Sequence, residues 1–186
     1  MKAKRMRWLC VLAGLTLSIG LAGGTPLAAQ DSCQAVNDAI DKATAVPTHT
    51  YTDMTPALTN GGEPGANDIH HAETIYFGTE AFTKLRGKWA RSEWTGQRVL
   101  KQEQENRQTG NFSCEYLGDE HVNGERAAVY STRSERANVR SDGQIWISKR
   151  RGLPLRREYD IEMTGGAASK DHVLTRYEYS NVRAPM

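Results

Sequence analysis

Leu155–Met163 reads LRREYDIEM and His172–Tyr179 reads HVLTRYEY, and the alternation within these two stretches decides the fold class. In the first, Leu155, Tyr159, Ile161 and Met163 share one side, interrupted by Arg157. Arg156, Glu158, Asp160 and Glu162 share the other. In the second, Val173, Thr175, Tyr177 and Tyr179 oppose Leu174, Arg176, Glu178 and Ser180. A period of two with one apolar and one charged side is the pattern of an antiparallel sheet with one buried and one wet face. The charges on the wet face stand where they can pair across strands.

Working outward, the same strand-like pattern recurs at residues 48–55, 69–77, 81–85, 88–94, 112–117, 126–134 and 144–149. The breaks between them carry turn chemistry: Arg86-Gly87, Asn123-Gly124, Asp142-Gly143, Gly152 and Gly165-Gly166, with a long Gly/Pro/Asn loop over residues 56–67. Residues 95–110 are polar, with only Val99 and Leu100 apolar enough to bury, and read as a short surface helix or a lid-like loop. One segment has a convincing helical stripe. Asp31 or Ser32 caps it, Ala35, Val36, Ala39, Ile40 and Ala43 form the stripe, and Pro47 ends it.

This inventory has a geometric consequence. Eight strands at ~4.8 Å spacing span nearly 40 Å, whereas one helix hides a stripe about 10 Å wide. The sheet must curl on itself, dimerise or hold something apolar. The reading is therefore an α+β chain, mostly antiparallel β, whose strongly curved sheet carries the N-terminal helix on its concave face and leaves an apolar cavity there. Trp89, Trp94, Trp146, Tyr159 and Tyr177, with Leu155 and Ile161, are the candidate lining residues; plain core packing is the alternative for each.

The N-terminus reads as an export signal. Lys2, Lys4, Arg5 and Arg7 precede an apolar run from Trp8 to Ala22, a break at residues 23–26, and Leu27-Ala28-Ala29 before Gln30. The run falls short of the roughly 20 residues a bilayer demands. Residues 1–29 are thus expected to be removed near Ala29-Gln30, leaving residues 30–186 as one domain in the periplasm, not integral to the membrane. Cysteine usage agrees: Cys10 departs with the signal, and Cys33 and Cys114 remain as an even pair where disulfides persist. A Cys33–Cys114 bridge is expected; the alternative is two buried thiols.

Composition narrows the chemistry. Of 24 Lys and Arg, four lie in the first seven residues, leaving 20 against 22 Asp and Glu. A near-neutral mature chain argues against a nucleic-acid partner. His49, His70, His71, His121 and His172 fit no metal-ligand spacing, and adjacent His70 and His71 on a strand point to opposite faces. There is no nucleophile elbow and no phosphate-binding glycine loop, so catalytic residues, a metal and a cofactor are all expected to be absent. Asn111-Phe112-Ser113 matches a glycosylation sequon that matters only in a eukaryotic secretory route. Lys149, Arg150, Arg151, Arg156 and Arg157 gather about the turn Gly152-Leu153-Pro154, where they either solubilise a hairpin tip or meet an anionic headgroup or an acidic surface.

That hairpin also carries a resemblance. Asp142–Tyr159, DGQIWISKRRGLPLRREY, resembles the LolA-like periplasmic superfamily, in which a W-I-x-K strand leads through x-G-L-P-L into the next strand; here the positions are Trp146, Ile147, Lys149, Gly152, Leu153, Pro154 and Leu155. The superfamily includes the outer-membrane lipoprotein carrier, the sigma-factor regulator RseB and mycobacterial lipid-binding lipoproteins. The resemblance implies a half-barrel wrapped around helices, a cavity for acyl chains and no catalysis. Two functions fit. One is a binding or carrier protein for a lipid or lipidated partner. The other is a ligand-free module that binds an envelope protein, as a stress sensor or assembly adaptor.

Overall fold

A computed structural model describes residues 27–57, 69–163 and 169–185. The segment read as an export signal as far as Pro26, most of the expected long loop and the expected turn at Gly165-Gly166 lie outside the described residues. The elements are α1 (Leu27–Thr44), β1 (Thr48–Pro56), β2 (His70–Phe77), β3 (Glu80–Leu85), β4 (Lys88–Arg91), α2 (Gly96–Thr109), β5 (Asn111–Val122), β6 (Glu125–Arg136), β7 (Val139–Ser148), β8 (Pro154–Met163) and β9 (Ser169–Glu178).

The nine described strands form one curved, open antiparallel sheet in the order β4-β3-β2-β1-β9-β8-β7-β6-β5. Strands β1 to β4 meander outward to one edge. Helix α2 then carries the chain to the opposite edge, and β5 to β9 meander back until β9 pairs with β1. Hairpins make this arrangement because short turns join antiparallel neighbours. Asn123 and Gly124, with φ of 51° and 79°, close β5 onto β6 with a left-handed pair of residues.

Helix α1 packs chiefly on β5 and also touches α2, β7 and β8. Val36 and Ala39 from α1 meet Cys114, Ile145 and Ile147 from the sheet, with Cys33, Ile40, Phe112 and Tyr130 around them. The Cys33–Cys114 disulfide fastens the two, with Cα atoms 5.0 Å apart. Alternation then assigns the inner, helix-bearing face: Tyr130 opposite Ile145, Ile145 opposite Arg157 and Arg157 opposite Thr175 run across it.

Several expectations need correction. Helix α1 is already formed at Leu27, the first described residue, and runs through the expected cap at Asp31 or Ser32, with alanines 28 and 29 favouring the helix. Strand β4 stops at Arg91, because Trp94 N bonds Ser92 Oγ and Thr95 caps α2. Strand β7 begins at Val139, five residues early, in register with β6 from Arg136 onward. Leu155 does not share a face with Tyr159. The register shifts between Trp146 and Ile147 where they meet β8, and this bulge turns Leu155 to the outer face, where it packs with Ala127, Val129 and Trp146. Two helices, rather than one, cover the inner face. That face is also less apolar than expected: over β1, β2, β3 and β9 it presents Thr48, Thr50, Thr52, Thr74, Thr83 and Thr175. Their hydroxyls bond within the structure, Thr50 to Thr74 O (3.2 Å), Thr52 to Thr175 (3.2 Å) and Thr74 to Thr83 (3.3 Å).

The outer face matches the wet face read from the sequence. Asp53 binds Arg176 and His71, Glu73 binds Lys84 and His49, and Asp160 binds His172 and Lys170. These cross-strand pairs hold register more than they add stability.

Candidate functional site

The space between the two helices and the inner face contains two cavities, of about 190 and about 380 Å³. The smaller is bounded by Ala43, Thr50, Tyr76, Val99 and Tyr177. The larger is bounded by Asn37, Phe112, Val139, Tyr159 and Ile161. Ile40, Glu103 and Arg157 stand in the walls of both. Sequence explains each wall. Ile40 belongs to the apolar stripe of α1. Tyr159, Ile161 and Tyr177 occupy inward positions of β8 and β9. Glu103 lies on the side of α2 that also carries Val99, Asn106 and Arg107, at the three- and four-residue spacing of one helical face.

The roof is polar. Gln102 Nε2 donates to Asn106 Oδ1 at 3.0 Å, and Arg136 donates to the same oxygen from the end of β6. Arg107 Nη2 holds Asp41 Oδ1 of α1 at 2.7 Å. At the junction of the cavities, Arg157 Nη1 lies 3.6 Å from Glu103 Oε1, both side chains about a quarter exposed. The Arg157 guanidinium sits 4.6 Å from the Tyr159 ring centre. Burial works against its charge, but Tyr159, Tyr177 and Glu103 outweigh that, so its pKa stands above the usual arginine value. Burial pushes the Tyr177 phenol up to about 12 and raises that of Tyr76, so both hydroxyls stay neutral in the cavity wall.

Of the candidate lining residues, Tyr159, Ile161 and Tyr177 stand along the cavities. The other four candidates lie elsewhere. Trp146 and Leu155 are on the outer face, with the Trp146 indole donating to Glu120 at 2.8 Å and Arg156 4.7 Å above its ring. Trp89 is also on that face, edge-on to His49 with Lys84 over it. Trp94 is 56% exposed in the link before α2. Arg157, an interruption of the apolar side in the sequence, and the segment read as a short surface helix or a lid-like loop, which is helix α2, both shape the cavity. The signal for Arg157 was its position in the alternation, a charge on the inward side.

A larger hollow of about 700 Å³ lies along β5 to β7 beside Ser32. Cys114, Tyr116 and Gly143 line it together with Ser113, Glu115, Ser131, Thr132, Arg133 and Asp142. The basic hairpin tip is held by carboxylates. Asp119 binds both Lys149 and Arg126 at 2.7 Å, and Glu125 binds Arg151 at 2.7 Å. The hydrogen bond from Lys149, joined by those from Tyr116 and Arg126, lowers the Asp119 pKa to about 2. The described residues contain no cluster of His, Cys, Asp and Glu that could hold a metal ion, and no described helix is long and apolar enough to cross a membrane.

No family model matches this sequence, and no curated protein does. Among solved structures the chain is distantly similar to several proteins. LprF from Mycobacterium bovis aligns at 10% identity and a TM-score of 0.42, over 84% of this chain and 97% of that one. MucB in complex with MucA(peri) aligns at 13% identity and a TM-score of 0.37, over 84% of this chain and 57% of that one. A DUF1329 family protein from Desulfovibrio piger aligns at 10% identity and a TM-score of 0.29, over 83% and 94%.

Proposed function

We propose that this is an exported, periplasmic binding or carrier protein that holds the apolar chain of a lipid or lipidated partner between α1, α2 and the inner face of the sheet, and that it binds rather than catalyses. One observation carries the reading: two cavities with shared wall residues lie between the helices and the inner face, the larger of about 380 Å³, within the roughly 300–1,000 Å³ of ligand sites in general. Ile40, Phe112, Tyr159 and Ile161 supply apolar surface for the chain, and the signal read over residues 1–29 supports the compartment.

Burial of a chain contributes about 0.8 kcal/mol per methylene. Affinity is therefore expected to rise roughly tenfold for every two methylenes added, until the cavities are full. Displacement of a fluorescent fatty-acyl probe by ligands of graded length measures this, and native mass spectrometry of protein drawn from the cell envelope looks for retained lipid. A flat length dependence, or no saturable probe binding and no retained lipid, refutes the proposal. Recovery of an envelope protein in place of lipid favours the adaptor instead.

A further inference from the structure

We infer that the ligand is an anionic amphiphile, and that Arg157 receives its charged head in place of Glu103. The inference rests on the proposed function and deepens it. An acyl chain alone asks for an apolar wall, and a guanidinium in that wall opposes it. Arg157 nevertheless occupies an inward position of β8 and bounds both cavities. Retaining a cation there is costly unless it is paired.

The pairing it has is loose. Arg107 and Arg151, at comparable exposure, hold carboxylates at 2.7 Å. Arg157 lies 3.6 Å from Glu103, its only carboxylate partner among the described residues. That is well outside the ~2.7–2.9 Å of a charge-assisted hydrogen bond. A planar guanidinium accommodates a carboxylate or phosphate in a two-pronged fit, and this one is left without it. Glu103 is borne by α2, whose cavity-facing side is polar, so its carboxylate can withdraw toward water when another anion arrives. The stacked Tyr159 ring keeps the guanidinium in place as its partner changes.

The cavity carries a second unfilled contact. Asn37 Oδ1 is buried without a hydrogen-bond partner, and Asn37 lines the same larger cavity. A hydroxyl or amide N–H beside the anionic head would satisfy it. The shared chemistry is thus a long-chain anion, either a free carboxylate or a phosphate monoester.

The test compares hexadecanoate and hexadecanoyl lysophosphatidate with hexadecanol and methyl hexadecanoate, by probe displacement on the disulfide-bonded protein. At least one anion is expected to bind about tenfold or more tightly than the neutral pair, the worth of one charge-assisted hydrogen bond; whichever anion leads identifies the head. Arg157→Gln should erase the preference and Arg157→Lys keep most of it. Glu103→Gln should strengthen anion binding and leave the neutral ligands unchanged, which a merely structural pair would not do. Arg176→Gln, on the outer face and paired with Asp53, should retain the preference. If Arg157→Gln fails to fold, the Arg157→Gln/Glu103→Gln double variant removes both charges together and should show no preference. Equal binding of anionic and neutral ligands by the unaltered protein, or a preference that survives loss of Arg157, overturns the inference while the proposed function stands. Failure of every ligand to bind overturns both.

Discussion

Reduction of the Cys33–Cys114 bridge offers the most quantitative check on how α1 is fastened to the sheet. The cysteines are 81 residues apart in sequence. The loop they close contains most of α1, all of β1 to β4, α2 and the start of β5. In the chain-entropy account, closing a loop of that length removes about 15 cal/mol/K from the unfolded ensemble, or about 4.5 kcal/mol at 25 °C. In the native state Cys114 is 5% exposed and packed with Val36, Ala39 and Ile145, so Cys33→Ser and Cys114→Ser differ in a second respect. Serine at 114 also places a hydroxyl in the core, costing about 1–3 kcal/mol more if it stays unpaired. Urea unfolding followed by tryptophan fluorescence, with and without reductant, measures the difference. With a slope of roughly 2 kcal/mol/M, the midpoint should fall by about 2 M on reduction. Cys33→Ser should match the reduced protein, and Cys114→Ser should lie below it. An unchanged midpoint in reductant, with two thiols released, refutes the reasoning that the bridge constrains the unfolded chain.

Two further perturbations probe the sheet. A Cβ added at Gly143 would stand 2.2 Å from Glu158 O and 2.3 Å from Tyr159 Cβ, so Gly143→Ala should destabilise by about 1–3 kcal/mol through overpacking; a thermal midpoint equal to the parent refutes that close approach. Asp119 has a folded pKa of about 2, below its ordinary value of 3.8. Its contribution is therefore present above about pH 4 and lost as pH falls toward 2. Carboxyl NMR should show the low value in the parent and a rise toward 3.8 in Lys149→Ala; a titration indifferent to Lys149 refutes the assignment.

The sheet was legible because its signals are local. The alternation through β8 and β9, the Asn123-Gly124 turn and the apolar stripe of α1 each need only a few neighbouring residues. So was the Cys33–Cys114 pair, since only two cysteines follow residue 29. Register across a bulge is a different matter. Leu155 continues the apolar side of its own strand in sequence, and only the shift opposite Trp146 moves it outward. The tryptophans stand among the candidates as aromatics, with no strand parity behind them. Ile145 and Ile147 flank Trp146 and both face α1, which sends the indole to the other side. Applied at Trp146, the rule that named Tyr159, Ile161 and Tyr177 would have excluded it.

The remaining surprise concerns what an interior needs. The breadth of the sheet required cover beyond one amphipathic helix, and an apolar passenger was one way to provide it. The chain provides part of the cover itself with α2, a helix whose cavity-facing side carries Glu103, Asn106 and Arg107 beside Val99. Such a helix can lie there because the floor beneath it is not uniformly greasy: threonines bonded to one another occupy β1, β2, β3 and β9, and Arg157 projects between them and Tyr159. Polar roof and threonine floor weaken the case for a site that accepts any hydrocarbon, since a bare alkane would bury Glu103 and Arg157 with nothing added to hold them. They strengthen the case for a ligand with a head that uses those charges and a tail that lies along Ile40, Phe112 and Ile161. Selectivity would then arise from the penalty on neutral chains as much as from attraction for anionic ones.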